Sequence, residues 1–151
     1  MLRDFQRVDK AVSLLTNFES RLWKTEADRT QIELVIMNLL LNAWQAIPDQ
    51  GNVTIKTENV ILPEARTAGV HEKHITNYVK CSIQDNGCGM SDGVCAQVYK
   101  PFFTTKNMAK HRGLGLSSVF GIVTNHNGLI DIESEVDQGT KVCIFLPAVI
   151  G

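Results

Sequence analysis

The chain has 151 residues, 44% of them hydrophobic and 21% charged, which are the proportions of a soluble globular domain able to bury one proper core. A formal net charge of −1 and an isoelectric point of about 6.4 provide no global field to recruit nucleic acid or anionic lipid, so any phosphate binding has to be arranged locally. The opening MLRDFQR carries charges where a signal peptide needs an apolar core, and no apolar run approaches the ~18 residues that span a bilayer; a cytoplasmic piece with no direct membrane contact and no nucleic-acid partner is expected.

From Asp4 to Ser20, the positions Phe5, Val8, Val12, Leu15 and Phe18 fall at helical spacing and predict an amphipathic helix. A short strand is expected within Arg21 to Thr25. Asp28 or Thr30 then caps a second helix through QIELVIMNLLLNAWQAI, ended by Pro48 and the turn Asp49-Gln50-Gly51; apolar nearly all round, it is expected to be buried. Asn52 to Val60 alternates as a strand, and after a polar loop containing Pro63 and Gly69 a second strand runs from Tyr78 to Gln84, the two pairing as antiparallel neighbours. A short helix around Asp92 to Tyr99, the block PFFTTK, a basic run and a helix from Gly115 to Asn125 follow. Leu129 to Glu135 and Lys141 to Leu146 close the chain as two strands joined at Asp137-Gln138-Gly139. This order predicts an α+β fold, a mixed and mostly antiparallel sheet covered on one face by helices.

The cysteines Cys81, Cys88, Cys95 and Cys143 form no CxxC pair and are expected to be reduced thiols. His71 and His74 stand three apart rather than at HExxH spacing, so a polar loop is expected there rather than a metal site.

Three stretches carry possible chemistry. Asn38 and Asn42, four apart, stack on one face of the buried helix. Buried amides must be satisfied, so either they cap neighbouring backbone groups or an amide oxygen helps hold a hard cation such as Mg²⁺. In HRGLGLSSVFG, Gly113 and Gly115 lead into an apolar helix, where unpaired N–H groups and glycine backbone admit a phosphate; a flexible loop that merely ends at a helix fits the same residues. The chain has no Gly-Lys and hence no P-loop, and no GxGxxG. The third stretch is DNGCGM, Asp85 to Met90, which reads either as an Asn-Gly turn or as something requiring more glycine than a hairpin needs.

Taken in order, ELVIMNLLLNA, DNGCGM, PFFTTK, GLGLSSVFGIV and DQGTKVCIFLP resemble the N, G1, F and G2 boxes and the closing segment of the ATP-binding catalytic domain of two-component sensor histidine kinases. PFFTTK and TENVILPEA look most like the nitrogen-regulation and hybrid members. The resemblance covers Arg21 to Pro147 and implies the two-layer Bergerat ATP-binding fold. It also implies a division into residues 1–20, the possible end of a dimerisation domain, and residues 21–151, the catalytic domain. On this likeness Asp85 accepts the adenine 6-amino proton, and Gly87, Gly89 and Met90 lie against the base. A carboxylate accepts and cannot donate, so it suits adenine and rejects the guanine carbonyl. Thr140 is expected near the same pocket, on the base or a bridging water. Asn42 is implied as the Mg²⁺ ligand with Asn38 beside it. Gly113, Leu114, Gly115 and Leu116 offer amides to the phosphates, and Thr104, Thr105 and the segment to Arg112 form the ATP lid, with Phe102 and Phe103 at its base. Lys106 and Arg112 are the first candidates, with Lys110, to neutralise charge on the transferred γ-phosphoryl group.

The likeness has departures. His111 and Arg112 stand where glycine and a small residue are usual, and Gln45 and Ala46 replace the lysine or tyrosine often found one turn beyond the second asparagine. Relatives of the same fold that hydrolyse ATP, such as the gyrase-type topoisomerases, use a glutamate four residues before the metal-binding asparagine; here that residue is Asn38, and Glu33 is too far along the helix to replace it. The implied activity is therefore phosphoryl transfer to a histidine, and none of His71, His74, His111 or His126 has the H-box context HExxxP/L. A histidine-bearing dimerisation domain and a response-regulator receiver domain are the implied partners. A non-catalytic nucleotide-binding module and an anti-sigma-type serine kinase are the alternatives of the same fold.

Overall fold

The structure is a computed structural model and describes residues 11–63, 76–87 and 115–149. In chain order the elements are β1 (Ala11–Asn17), β2 (Lys24–Thr25), α1 (Arg29–Ala46), β3 (Gln50–Ile61), β4 (Asn77–Asp85), α2 (Gly115–Asn125), β5 (Leu129–Glu135) and β6 (Gly139–Val149). They build one mixed sheet in which β1 pairs parallel with β3 and every other pairing is antiparallel: β3 with β4, β4 with β6, and β6 with both β5 and β2.

Side-chain alternation decides which face is covered. Val53, Ile83, Val142 and Ile144 point to the helix side and close a core with Val35, Leu39, Leu40, Ala43 and Ile47 of α1 and its end, and Leu116, Val119 and Val123 of α2. The intervening residues of the same strands, Tyr78, Cys143 and Phe145, form a second, smaller cluster with Leu62 on the opposite face. The two-layer arrangement expected from the order of elements is thus present, as is the antiparallel β3–β4 pair.

The first segment departs from expectation. Where helical spacing predicted Asp4 to Ser20 as a helix, residues 11–17 are strand β1, in parallel register from Ala11 opposite Gln50 to Asn17 opposite Lys56; residues 1–10 lie outside the described residues. Val12 and Leu14 pack on the core while Leu15 is 50% exposed. That is a two-residue period, and it overrides the i, i+3 coincidence of Val12 and Leu15. Side chains of β3 then stitch down the turn after β1: Thr57 Oγ1 accepts from the Glu19 N–H at 3.0 Å, and Asn59 accepts from Trp23 N–H at 2.8 Å while donating to the Arg21 carbonyl at 3.0 Å.

Helix α1 begins as the sequence signals, with the Asp28 carboxylate accepting from Gln31 N–H at 3.0 Å. It is not buried all round: Val35, Leu39, Leu40 and Ala43 form its buried stripe, whereas Leu34 and Met37 are exposed. His126, just past the end of α2, ties the two helices together. Its Nε2 accepts from the Asp28 N–H at 3.1 Å, and its Nδ1 donates to the Ile122 carbonyl at 2.7 Å. Both bonds are made at once by the neutral ring protonated on Nδ1, so the start of α1 is referenced to the end of α2 by a single side chain.

Cys81 and Cys143 are free thiols, as expected. Burial, followed by the neighbouring Cys143, pushes the Cys81 thiol up to about 12, so it packs as a small neutral residue. Cys88 and Cys95, the short helix expected at Asp92 to Tyr99 and the loop with His71 and His74 lie outside the described residues. No helix among the described residues is long and apolar enough to cross a membrane.

Candidate nucleotide site

Asp85 is the last residue of β4, flanked by Val53 of β3 and Thr140 of β6. It is 6% exposed, one of two polar residues buried among those described. Such a carboxylate needs donors, and the backbone supplies them: Gly87 N–H donates to Oδ1 at 2.8 Å, and the Thr140 N–H donates to the same carboxyl group. Burial pushes the Asp85 pKa up, and these two N–H groups pull it back. The carboxylate is thereby held in one orientation at the end of a central strand.

The two residues after Asp85 fasten this strand end to its neighbours. Asn86 Oδ1 accepts from the Asn52 N–H at 2.8 Å, in the space left free by the missing side chain of Gly51. Gly87 passes so close to the last turn of α1 that a Cβ there would overlap the Ala46 carbonyl. From the other side Gly139, at φ 119°, brings the β5–β6 turn onto the backbone of Asp85 and Asn86, which a Cβ would also overlap. Asn-Gly is therefore not a hairpin turn here; it threads between the end of a helix and a neighbouring turn.

Asn42 lies one turn before Ala46 on α1, and Asn38 a turn earlier; both are half-buried. Among the described residues the Asn42 Nδ2 is buried with no hydrogen-bond partner, so capping of a neighbouring backbone group does not account for that nitrogen. A half-turn of the amide exchanges nitrogen for oxygen at the same point, and a hard oxygen donor is what a Mg²⁺ ion takes. The residue therefore fits the metal that the fold family implies. Glu33 points elsewhere, pairing with Arg29 at 3.0 Å on the exposed side of the helix.

Thr140 is half-buried beside Asp85, and its hydroxyl lies 2.7 Å from Ser134 Oγ, which donates to the Gly139 carbonyl at 3.1 Å. Ser134, which the sequence alone does not single out, touches the candidate site residue Thr140; their pairing across the β5–β6 hairpin is the signal that could have found it, since cross-strand hydroxyls commonly bond. Gly115 opens α2, while the Leu116 side chain is 6% exposed and belongs to the core, which reserves its backbone alone for any ligand. Gly89, Met90, Phe103, Thr104, Thr105, Lys106, Arg112, Gly113 and Leu114 lie outside the described residues.

Over residues 27–150 the sequence matches the family described as histidine kinase-, DNA gyrase B-, and HSP90-like ATPase. The chain belongs to that ATPase family. Within it, the sequence is 39% identical over 145 residues to sensor kinase CckA of Brucella abortus (strain 2308), an alignment covering 95% of this chain and 15% of CckA. It is 32% identical over 136 residues to sporulation kinase A of Bacillus subtilis (strain 168), covering 90% of this chain and 20% of that kinase. The chain therefore spans a fifth or less of the length of these relatives. The solved catalytic domain of histidine kinase ThkA superimposes with a TM-score of 0.72 at 25% identity, covering 97% of this chain and 82% of that one. The two-layer fold described above is accordingly the one that this ATPase family shares with the solved catalytic domain of histidine kinase ThkA.

Proposed function

We propose that this domain binds ATP with Mg²⁺ and passes the γ-phosphoryl group to a histidine on a separate dimerisation domain, from which a response-regulator receiver domain takes it. One observation carries the reading: the strand end bearing Asp85 is packed through Gly87 against the α1 turn that follows Asn42, whose Nδ2 is buried with no hydrogen-bond partner among the described residues. At 1.5 Å per helical residue, Asn42 stands about 6 Å along the axis from Ala46 and Asn38 about 12 Å, a separation suited to a base at one end and phosphates at the other.

In this reading Asp85 accepts from the adenine amino group, its direction fixed by the two backbone N–H groups. Thr140 presents its hydroxyl next to it. Asn42 would hold Mg²⁺ through its amide oxygen, with Asn38 one turn away, and the ion would supply positive charge to offset that of the nucleotide. Gly113, Leu114, Gly115 and Leu116 would offer backbone N–H groups at the start of α2, Phe103, Thr104 and Thr105 would belong to the lid with Gly89 and Met90 against the base, and Lys106 and Arg112 would steady the transferred group. Asn38 at the position of the hydrolytic glutamate supports transfer to a protein acceptor over transfer to water, because an amide does not take a proton from water at neutral pH. The site of action on this reading is the cytoplasm, where ATP is available, wherever the parent protein is anchored.

The relatives above are named as a sensor kinase and a sporulation kinase, and the similar solved domain as that of a histidine kinase, which favours histidine over a serine acceptor and over a module that only binds nucleotide. The test is incubation with γ-labelled ATP and a histidine-bearing dimerisation domain of a related sensor kinase. Acid-labile, base-stable label on that domain is expected. Label stable to acid, as on serine, or no label from a protein that demonstrably binds ATP, would contradict the proposal.

A further inference from the structure

We propose that Ser134 is a positioning residue for purine selection, acting through Thr140; this rests on the nucleotide-site reading above. A serine hydroxyl has one proton, and Ser134 Oγ lies within hydrogen-bond distance of both the Gly139 carbonyl, at 3.1 Å, and Thr140 Oγ1, at 2.7 Å. A carbonyl can only accept. Both contacts are hydrogen bonds at once in a single arrangement, in which Ser134 donates to Gly139 and Thr140 donates to Ser134. The chain runs Thr140 O–H to Ser134 O–H to the Gly139 carbonyl, and each bond polarises the next.

That direction has a consequence for the ligand. With its proton committed to Ser134, the Thr140 oxygen offers lone pairs alone to anything that approaches from the pocket. The Thr140 backbone N–H is also committed, to the Asp85 carboxyl. Thr140 and Asp85, opposite each other on β6 and β4, therefore present two acceptors and no donor. Two adjacent acceptors suit an exocyclic amine, which carries two protons, and repel a carbonyl oxygen at the same position. Removing Ser134 releases the Thr140 proton, so the hydroxyl can turn and donate to a carbonyl. Asp85 supplies most of the binding, and Ser134 sharpens the choice.

The experiment measures affinities for non-hydrolysable ATP and GTP analogues in the wild-type protein, Ser134→Ala, Ser134→Thr, Thr140→Val, the Ser134→Ala/Thr140→Val double variant and Asp85→Asn, each checked for folding by its melting transition. Ser134→Ala is expected to reduce the ATP-to-GTP affinity ratio about fivefold, the size of one neutral hydrogen bond. Ser134→Thr restores the ratio, and Ser134→Ala changes nothing further once Thr140 is valine. An unchanged ratio in Ser134→Ala, or an equal loss for both nucleotides that persists in the Thr140→Val background, overturns the assignment of Ser134. Asp85→Asn separates the two levels: if it leaves ATP affinity intact, the nucleotide-site reading itself is wrong; if it abolishes affinity while Ser134→Ala keeps the wild-type ratio, the role of Ser134 alone is wrong.

Discussion

Asp85→Asn is expected to weaken binding of an ATP analogue by about 2–3 kcal/mol, roughly 30- to 150-fold, the range for a hydrogen bond to a charged acceptor. The substitution keeps size and shape. It removes an acceptor: with one side-chain oxygen engaged by Gly87 N–H, the new NH₂ occupies the remaining position and faces the donor of the base. The domain without ligand is expected to behave differently. Burial raises the Asp85 pKa above its ordinary 3.8, so the native state binds more protons than the unfolded state over the window between 3.8 and the raised value. Stability from this group is therefore greatest below 3.8 and falls as pH rises through that window; at neutral pH the buried charge is a net burden. The neutral amide is expected to leave the melting temperature at pH 7 unchanged or raised, while the shift produced by saturating nucleotide shrinks with the lost affinity. Calorimetric titration and thermal melting check both halves. Unchanged affinity in a folded Asp85→Asn protein would remove Asp85 from the site.

Gly139→Ala is expected to cost the domain far more stability than the same methyl added at Gly121. Gly139 sits at φ 119°, which side chains rarely adopt, and its Cβ would overlap the Asp85 carbonyl and the Asn86 Cα, both backbone atoms with no rotamer to turn aside. Strain and overlap together are expected to destabilise the domain by about 3 kcal/mol or more, and any folded protein should bind nucleotide poorly because the strand end carrying Asp85 has moved. Gly121 in α2 is the matched control. A Cβ there meets nothing within 4 Å, so Gly121→Ala is expected to stabilise by about 0.5–1 kcal/mol by restricting the unfolded chain and favouring helix. Urea denaturation of the pair measures both. Equal effects of the two alanines would show that the β5–β6 turn does not press on Asp85.

The difference between these glycines is not legible in the sequence. There Gly139 is one residue of a hairpin turn, and nothing local announces that its neighbour across β4 is a buried carboxylate. Elements whose apolar period has one solution are legible: β3, β4, β5 and α2 fall close to where alternation or helical spacing puts them. Residues 11–17 have two solutions. Val12 with Leu15 suits a helix and Val12 with Leu14 suits a strand, and the choice belongs to β3, which lies parallel alongside and is distant in sequence. The exposure of Leu34 and Met37 shows the same limit, since composition reports how apolar a helix is and not how many neighbours it finds. For the site, Asn38 and Asn42 are legible as amides on an apolar helix that punishes unsatisfied polarity, whereas Asp85 is legible only through the likeness of DNGCGM to a box of the family. Ser134 is not, because an isolated serine in a strand becomes informative only when the partner opposite it is known.

The central claim is that Asp85 and Asn42 serve one nucleotide, the first holding its base and the second the cation on its phosphates. It is tested most directly by titrating a non-hydrolysable ATP analogue, in Mg²⁺ and in EDTA, against the wild-type protein and Asn42→Ala. Mg²⁺ is expected to tighten binding to the wild-type protein, and the gain is expected to shrink at least about tenfold in Asn42→Ala, with closely similar affinities for the two proteins in EDTA. A Mg²⁺ gain of the same size in both proteins would contradict the account.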